Sequence, residues 1–140
     1  MKVFVDTNVL VSAVAARGLC ADVFRSILAA HQLVVSLPLL DKLKDVLQNK
    51  IGISPEVTSD YISLVTQDAM VSENTALADI NINDKDDILI LSTALNAKAE
   101  LFVTGDRELL NLEKIQAMRI MSPRKFWEEV IRPYARRSIE

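Results

Sequence analysis

The stretch Val3-Phe4-Val5-Asp6-Thr7-Asn8 runs three apolar residues straight into a carboxylate followed by two more hydrogen-bonding side chains. Leu101-Phe102-Val103-Thr104-Gly105-Asp106 repeats the pattern near the other end of the chain. Short apolar runs closed by polar residues read as buried strands of a parallel sheet. In such a sheet the carboxyl ends of the strands share one edge, and ligands bind there. Two strands that end in Asp therefore place two carboxylates in one crevice. Asp87, at the start of a long apolar helix, is a third candidate. Several carboxylates in one place repel each other, so such a site suits a hard cation such as Mg²⁺ or Mn²⁺.

Outward from these strands, helical and strand patterns alternate. The spacing predicts helices over 9–16, 20–31, 38–50 and from 55 to about 70, with a short strand at 33–35 between the second and third. Another short strand fits 70–72, and the rest of 71–83 reads as loop. A helix over 86–98, the strand at 101–103, a helical turn at 109–112, a strand at 117–121 and a helix at 123–131 complete the pattern. Strands alternating with helices indicate an α/β fold with a mostly parallel sheet covered on both faces. At 140 residues the whole chain, 1–140, fits one domain.

Composition excludes several classes. Half of the residues are hydrophobic and 25% are charged, as in ordinary globular proteins. No apolar run is long enough for a membrane span. Met1-Lys2 leads directly into a strand-like run rather than a signal peptide. Cys20 is alone, so no internal disulfide forms, and it reads as a small hydrophobe on a helix. These features point to a cytoplasmic protein. His31 is the only histidine and falls at a helix end, where a cation suits the dipole; without a His or Cys neighbour it does not suggest zinc. Residues 1–106 carry eight basic and fourteen acidic side chains, whereas 107–140 carry eight basic and five acidic. A basic C-terminal region beside an acidic pocket suits an anionic substrate, and 132–140 reads equally well as a solvated tail.

Each carboxylate also has a structural explanation. Asp6 is a suitable helix N-cap, although the run Asp6-Thr7-Asn8 can also fix a metal-bound carboxylate in one rotamer. Asp84 and Asp86 fit a helix start, where acidic groups meet the positive end of the dipole. Asp87 lies one residue before Ile88-Leu89-Ile90-Leu91, a run apolar on all sides, and can face the sheet edge. Asp106 fits either an Asx turn before a helix or the metal site, and Gly105 permits a tight or left-handed turn. Trp127 and Phe126 read as packing or as a partner surface.

The arrangement resembles the PIN-domain family, PilT N-terminus-like metal-dependent ribonucleases that include the VapC-type toxins of toxin–antitoxin pairs. The resemblance rests on Val3-Phe-Val-Asp-Thr-Asn-Val-Leu10, Val35-Ser-Leu-Pro-Leu-Leu-Asp-Lys-Leu-Lys-Asp-Val-Leu47, Asp84-Lys-Asp-Asp-Ile-Leu-Ile-Leu-Ser-Thr-Ala94 and Leu101-Phe-Val-Thr-Gly-Asp-Arg-Glu-Leu-Leu110. It implies a three-layer α/β/α sandwich and Mg²⁺ or Mn²⁺ held by Asp6, Asp87 and Asp106. It further implies supporting roles for Asn8, Ser36 and Thr104. RNA, an antitoxin protein and further copies of the chain, as homodimer or higher homo-oligomer, are the implied partners.

The second acid of the family does not transfer, because its position holds Lys42, with Asp41 one residue earlier. At about 100° per residue, Leu39, Leu40, Leu43, Val46 and Leu47 define one helix face. Lys42 flanks that face, while Asp41 and Asp45 point away from it, so Asp41 replaces the missing acid only if the helix starts irregularly. Lys42 and Arg107 are then expected at the rim as substrate contacts, with the Lys42 ammonium meeting Asp6, Asp87 or a phosphate. The expected activity is RNA phosphodiester hydrolysis. The alternative is a degenerate PIN domain that binds RNA or protein and cuts poorly. A phosphatase or phosphoacceptor receiver fits less well, since Asn8 stands where the phosphatase pattern needs a second Asp.

Overall fold

The computed structural model describes residues 1–133. The chain runs β1 (Lys2–Val5), α1 (Thr7–Ala15), α2 (Leu19–Ala30), β2 (Gln32–Ser36) and α3 (Leu37–Asp45), which continues into a wider π turn at Val46–Ile51. Then come α4 (Pro55–Thr66), β3 (Met70–Ser72), α5 (Lys85–Asn96), β4 (Leu101–Val103), α6 (Arg107–Leu110), β5 (Lys114–Ile115), β6 (Met118–Met121) and α7 (Pro123–Phe126), itself continued by a π turn at Trp127–Ile131. The strands form one sheet in the order β3-β2-β1-β4-β6-β5, parallel throughout except for the β5–β6 pair. With this strand order, the right-handedness that parallel crossovers follow puts α1–α4 on one face and returns α5 across the other, a three-layer α/β/α arrangement. No helix among the described residues is long and apolar enough to cross a membrane.

The central strands are buried on both faces, which explains their continuous apolar sequence. Val3, Phe4, Val5, Phe102 and Val103 are all fully buried. Phe4 pairs in register with Phe102, and their rings stack with centroids 5.2 Å apart. Such a pair contributes about 0.5–1.5 kcal/mol beyond its area. On the helical side, Leu39, Leu43 and Leu47 are fully buried at four-residue spacing and carry the α3 face through the π turn. Each is worth roughly 1.5–3 kcal/mol. Tyr61 of α4 donates its hydroxyl to the Leu10 carbonyl at 2.8 Å, tying the outer helices together.

Several boundaries differ from the sequence expectation. Helix α1 begins at Thr7, directly after Asp6, so Asn8 belongs to its first turn rather than to a strand end. Helix α4 ends at Thr66 and leaves Met70 to the edge strand. Strand β5 carries no sequence signal: it is two residues long, and its hairpin turn puts Gln116, not glycine, at φ 53°. Ile88 and Leu89 are only half-buried, because α5 covers the sheet along one face. His31 stands at the C-terminal cap of α2, where burial and then the nearby N-terminal ammonium lower its pKa, Glu100 opposes them, and its ring meets Phe126 edge-on. Cys20 is half-buried on α2, in keeping with its reading as a small hydrophobe. Of the basic stretch 132–140, residues 134–140 lie outside the described residues.

Candidate metal centre

Strand order reverses between β1 and β4: β1 is followed by β2 on one side and flanked by β4 on the other. A crevice opens at the carboxyl ends of two such strands. Asp6 closes β1 there, and its backbone N–H donates to the Val103 carbonyl of β4 at 2.9 Å. Its side chain caps α1, with Oδ1 accepting from the Thr7 N–H at 2.8 Å. Oδ2 accepts from the Thr104 hydroxyl at 2.8 Å and from the Asn8 amide at 3.2 Å. Asn8 Oδ1 in turn accepts from the Gly105 N–H at 2.9 Å. The Asp106 N–H donates to Thr104 Oγ1 at 3.1 Å. The two sequence motifs are thus laced into one corner, and the N-cap and rotamer-fixing readings of Asp6 are both satisfied.

Gly105 does not adopt positive φ, contrary to the left-handed turn its sequence allows. A Cβ there would make only ordinary contact with the Asn8 amide, 3.4 Å from its Oδ1, and what Gly105 contributes to the corner is its N–H. Asp6 is only 4% exposed. Burial raises its pKa despite the hydrogen bonds from Thr104 and Thr7 and the positive charge of Lys42, and the Asp106 carboxylate adds to the rise.

Asp87 enters the same edge from the first turn of α5. Asp84 is the N-cap of that helix, its Oδ1 accepting from the Asp86 and Asp87 N–H groups at 2.9 and 3.2 Å. Asp87 is itself buried, with the Lys42 ammonium 3.7 Å from its Oδ1. Burial, and then the charge of Asp84, push its pKa up to about 6; Lys42 opposes this, and Asp6 and Asp106 add to it. Asp106 caps α6, its Oδ1 accepting from the Glu108 and Leu109 N–H groups at 2.8 and 3.3 Å. Its Asx-type role is therefore real, and its charge is also felt by both other carboxylates.

The sequence-derived supporting residues divide. Asn8 and Thr104 hold Asp6 directly. Ser36 touches no acid. It is fully buried, caps α3 through the Leu39 N–H at 3.4 Å, and accepts from the Thr93 hydroxyl of α5 at 2.9 Å. Ser72 donates to the Thr93 carbonyl at 2.8 Å, completing a polar seam between β2, β3 and α5. Thr93 and Ser72 were not singled out in the sequence; polar residues inside the apolar run of α5 were the available signal. Asp41 is exposed, and it stands on the same groove as Lys42 rather than apart from it as helical spacing predicts. With Asp45, Asp86, Lys42 and Lys50 it lines a neighbouring groove of about 410 Å³ between α3 and α5. Arg107 is exposed on the first turn of α6.

Buried carboxylates with raised pKa values lack enough positive charge around them, and their all-oxygen chemistry fits a hard divalent ion. Their spacing is looser than a closed shell: among the described residues no three acidic, His or Cys side chains are grouped tightly enough to hold an ion alone. Mg²⁺ commonly uses one or two carboxylates and retains waters, so the donor set fits an ion of that kind.

Comparison with known proteins agrees with the architecture. The structure superposes on VapBC2 from Rickettsia felis, bound to a DNA fragment from its promoter, with a TM-score of 0.63 at 16% identity, over 87% of this chain and 98% of that one. It superposes on VapBC-1 from nontypeable Haemophilus influenzae with a TM-score of 0.59 at 17% identity, over 89% of this chain and 99% of that one. At such identities the likeness concerns the fold. Comparison with curated proteins finds no match. The PIN domain family matches residues 2–108, which carry β1 through the start of α6 and all three candidate carboxylates, and the chain belongs to that family.

Proposed function

We propose that this chain is a metal-dependent ribonuclease and the toxin component of a toxin–antitoxin pair, with Asp6, Asp87 and Asp106 as the catalytic and metal-holding residues. The observation that carries this reading is the buried, hydrogen-bonded Asp6 at the β1–β4 reversal, where the Asp106 charge adds to the raised pKa of Asp6 and the Asp6 and Asp106 charges add to that of Asp87. Mg²⁺ or Mn²⁺, when bound, supplies a water of lowered pKa and offsets the charge that develops on phosphate. Thr104 and Asn8 hold Asp6 in one rotamer, so its oxygens need no reorganisation during the reaction. Arg107 meets the substrate phosphates at the rim, while Lys42 stands beside Asp87. RNA and an antitoxin are the partners, in keeping with the VapBC structures that share the fold. The chain acts as one domain over 1–140, cytoplasmic, and as a homodimer or higher homo-oligomer.

The Lys42–Asp87 pair supports a second reading, a degenerate PIN domain that binds RNA or a protein and cuts little, because the ammonium occupies one carboxylate. Cleavage of RNA by the full chain with Mn²⁺, with EDTA, and with Asp6→Asn separates the two. Cleavage that needs Mn²⁺ and is lost in Asp6→Asn supports the nuclease. RNA binding without Mn²⁺-dependent cleavage supports the degenerate domain.

A further inference from the structure

Lys42 stands at the boundary of two sites. Its Nζ lies 3.7 Å from Asp87 Oδ1, beyond hydrogen-bond distance, with 40% of the side chain exposed. The same side chain lines the 410 Å³ groove, where Asp41, Asp45 and Asp86 also stand. The ammonium is therefore loosely held on a flexible stem, with other carboxylates within the groove to receive it. A divalent ion entering the crevice meets an adjacent positive charge, and charge repulsion at that range disfavours both staying.

Resting on the metal-dependent reading above, we propose that Lys42 is an exchangeable counter-ion, paired with Asp87 in the metal-free protein and displaced into the α3–α5 groove when a divalent cation binds. Before the exchange Asp87 has its partner. After it, the ammonium is neutralised by the groove acids, and the incoming ion faces carboxylates alone. Lys42 is a positioning residue in this scheme, and metal affinity is the property it sets.

The test is calorimetric titration of the full chain with Mn²⁺. Lys42→Met should bind Mn²⁺ about tenfold more tightly than wild type, the scale of one charge–charge contact largely screened by water. Lys42→Arg should keep wild-type affinity, since the charge remains. Replacing Asp41, Asp45 and Asp86 together by Asn should weaken Mn²⁺ binding in the Lys42 protein and have little effect in the Lys42→Met background. If wild type binds Mn²⁺ and Lys42→Met binds no better, Lys42 is not a competitor and the proposal fails while the metal centre stands. If the Asn replacements weaken both backgrounds equally, displacement into the groove is wrong. If neither wild type nor Lys42→Met binds Mn²⁺, both the exchange and the metal-dependent reading fall.

Discussion

Asp6 and Asp87 are both buried carboxylates at one sheet edge, and they are held in opposite ways. Asp6 accepts three hydrogen bonds from Thr7, Asn8 and Thr104, supplied by two strand-end motifs. Asp87 has one charged partner among the described residues, the Lys42 ammonium at 3.7 Å. The Asp6 corner is rigid because adjacent strands of a parallel sheet fix their ends relative to each other. The Asp87 side depends on the approach of two helices, and long side chains there have freedom to exchange. One half of the centre is thus pre-organised by hydrogen bonds and the other is governed by charge.

Four measurements sharpen or break this contrast. The largest effect belongs to Asp6→Asn, which should reduce Mn²⁺-dependent RNA cleavage by more than about 100-fold, beyond the usual cost of losing a group that only supports a ligand. Retained cleavage would remove Asp6 from the reaction. Thr104→Val deletes the 2.8 Å bond to Asp6 while preserving shape. It should lower metal affinity or cleavage by about 10–100-fold. Its stability cost should be about 1–3 kcal/mol, because Asp6 Oδ2 loses one of its two donors and the Asp106 N–H loses its acceptor. An unchanged metal affinity would show that the Asp6 corner is not pre-organised by this contact.

Asp87→Asn probes the charge-governed half. The Asp87 pKa is raised from 3.8 to about 6, so the native state holds a proton that the unfolded state has released. Its contribution is fully present below pH 3.8 and is lost as pH rises through about 6. In EDTA, Asp87→Asn should remove this loss and be more stable than wild type at pH 7 by up to about 3 kcal/mol, with a flatter stability profile between those values. Urea denaturation across that pH range checks it; a destabilised Asn variant would mean that the Lys42 pair outweighs burial. The smallest effect is expected for Ser36→Ala, about 1 kcal/mol of stability from the lost α3 cap and Thr93 contact, with cleavage by the folded protein unchanged. A loss of cleavage like that of Thr104→Val would return Ser36 to a direct supporting role.

The reach of the sequence follows the same division. Val3–Val5 and Leu101–Val103 were legible as strands because burial on both faces leaves a continuous apolar signature. Asn8 and Thr104 were legible as partners of Asp6 because they lie in the same motifs. The face of Lys42 was legible from helical spacing, although the π turn at Val46–Ile51 was not. Ser36 was mistaken in its contact, since sequence places it at a strand end and gives no sign that Thr93 of α5 waits there. Strand β5 was missed because two residues carry no periodicity.

By itself, the sequence determined the α/β class, the strand ends that carry Asp6 and Asp106, and the helix face that carries Lys42. Local patterns suffice for these, because a strand, a cap or a helix face is set by residues a few positions apart. Only the tertiary structure decided that the Lys42 ammonium meets Asp87, that Asp41 belongs to the groove, and that Gly105 makes no left-handed turn. Those relations depend on how α3 and α5, and β1 and β4, come together. Packing fixes such distances between segments remote in the chain, and no local periodicity encodes them.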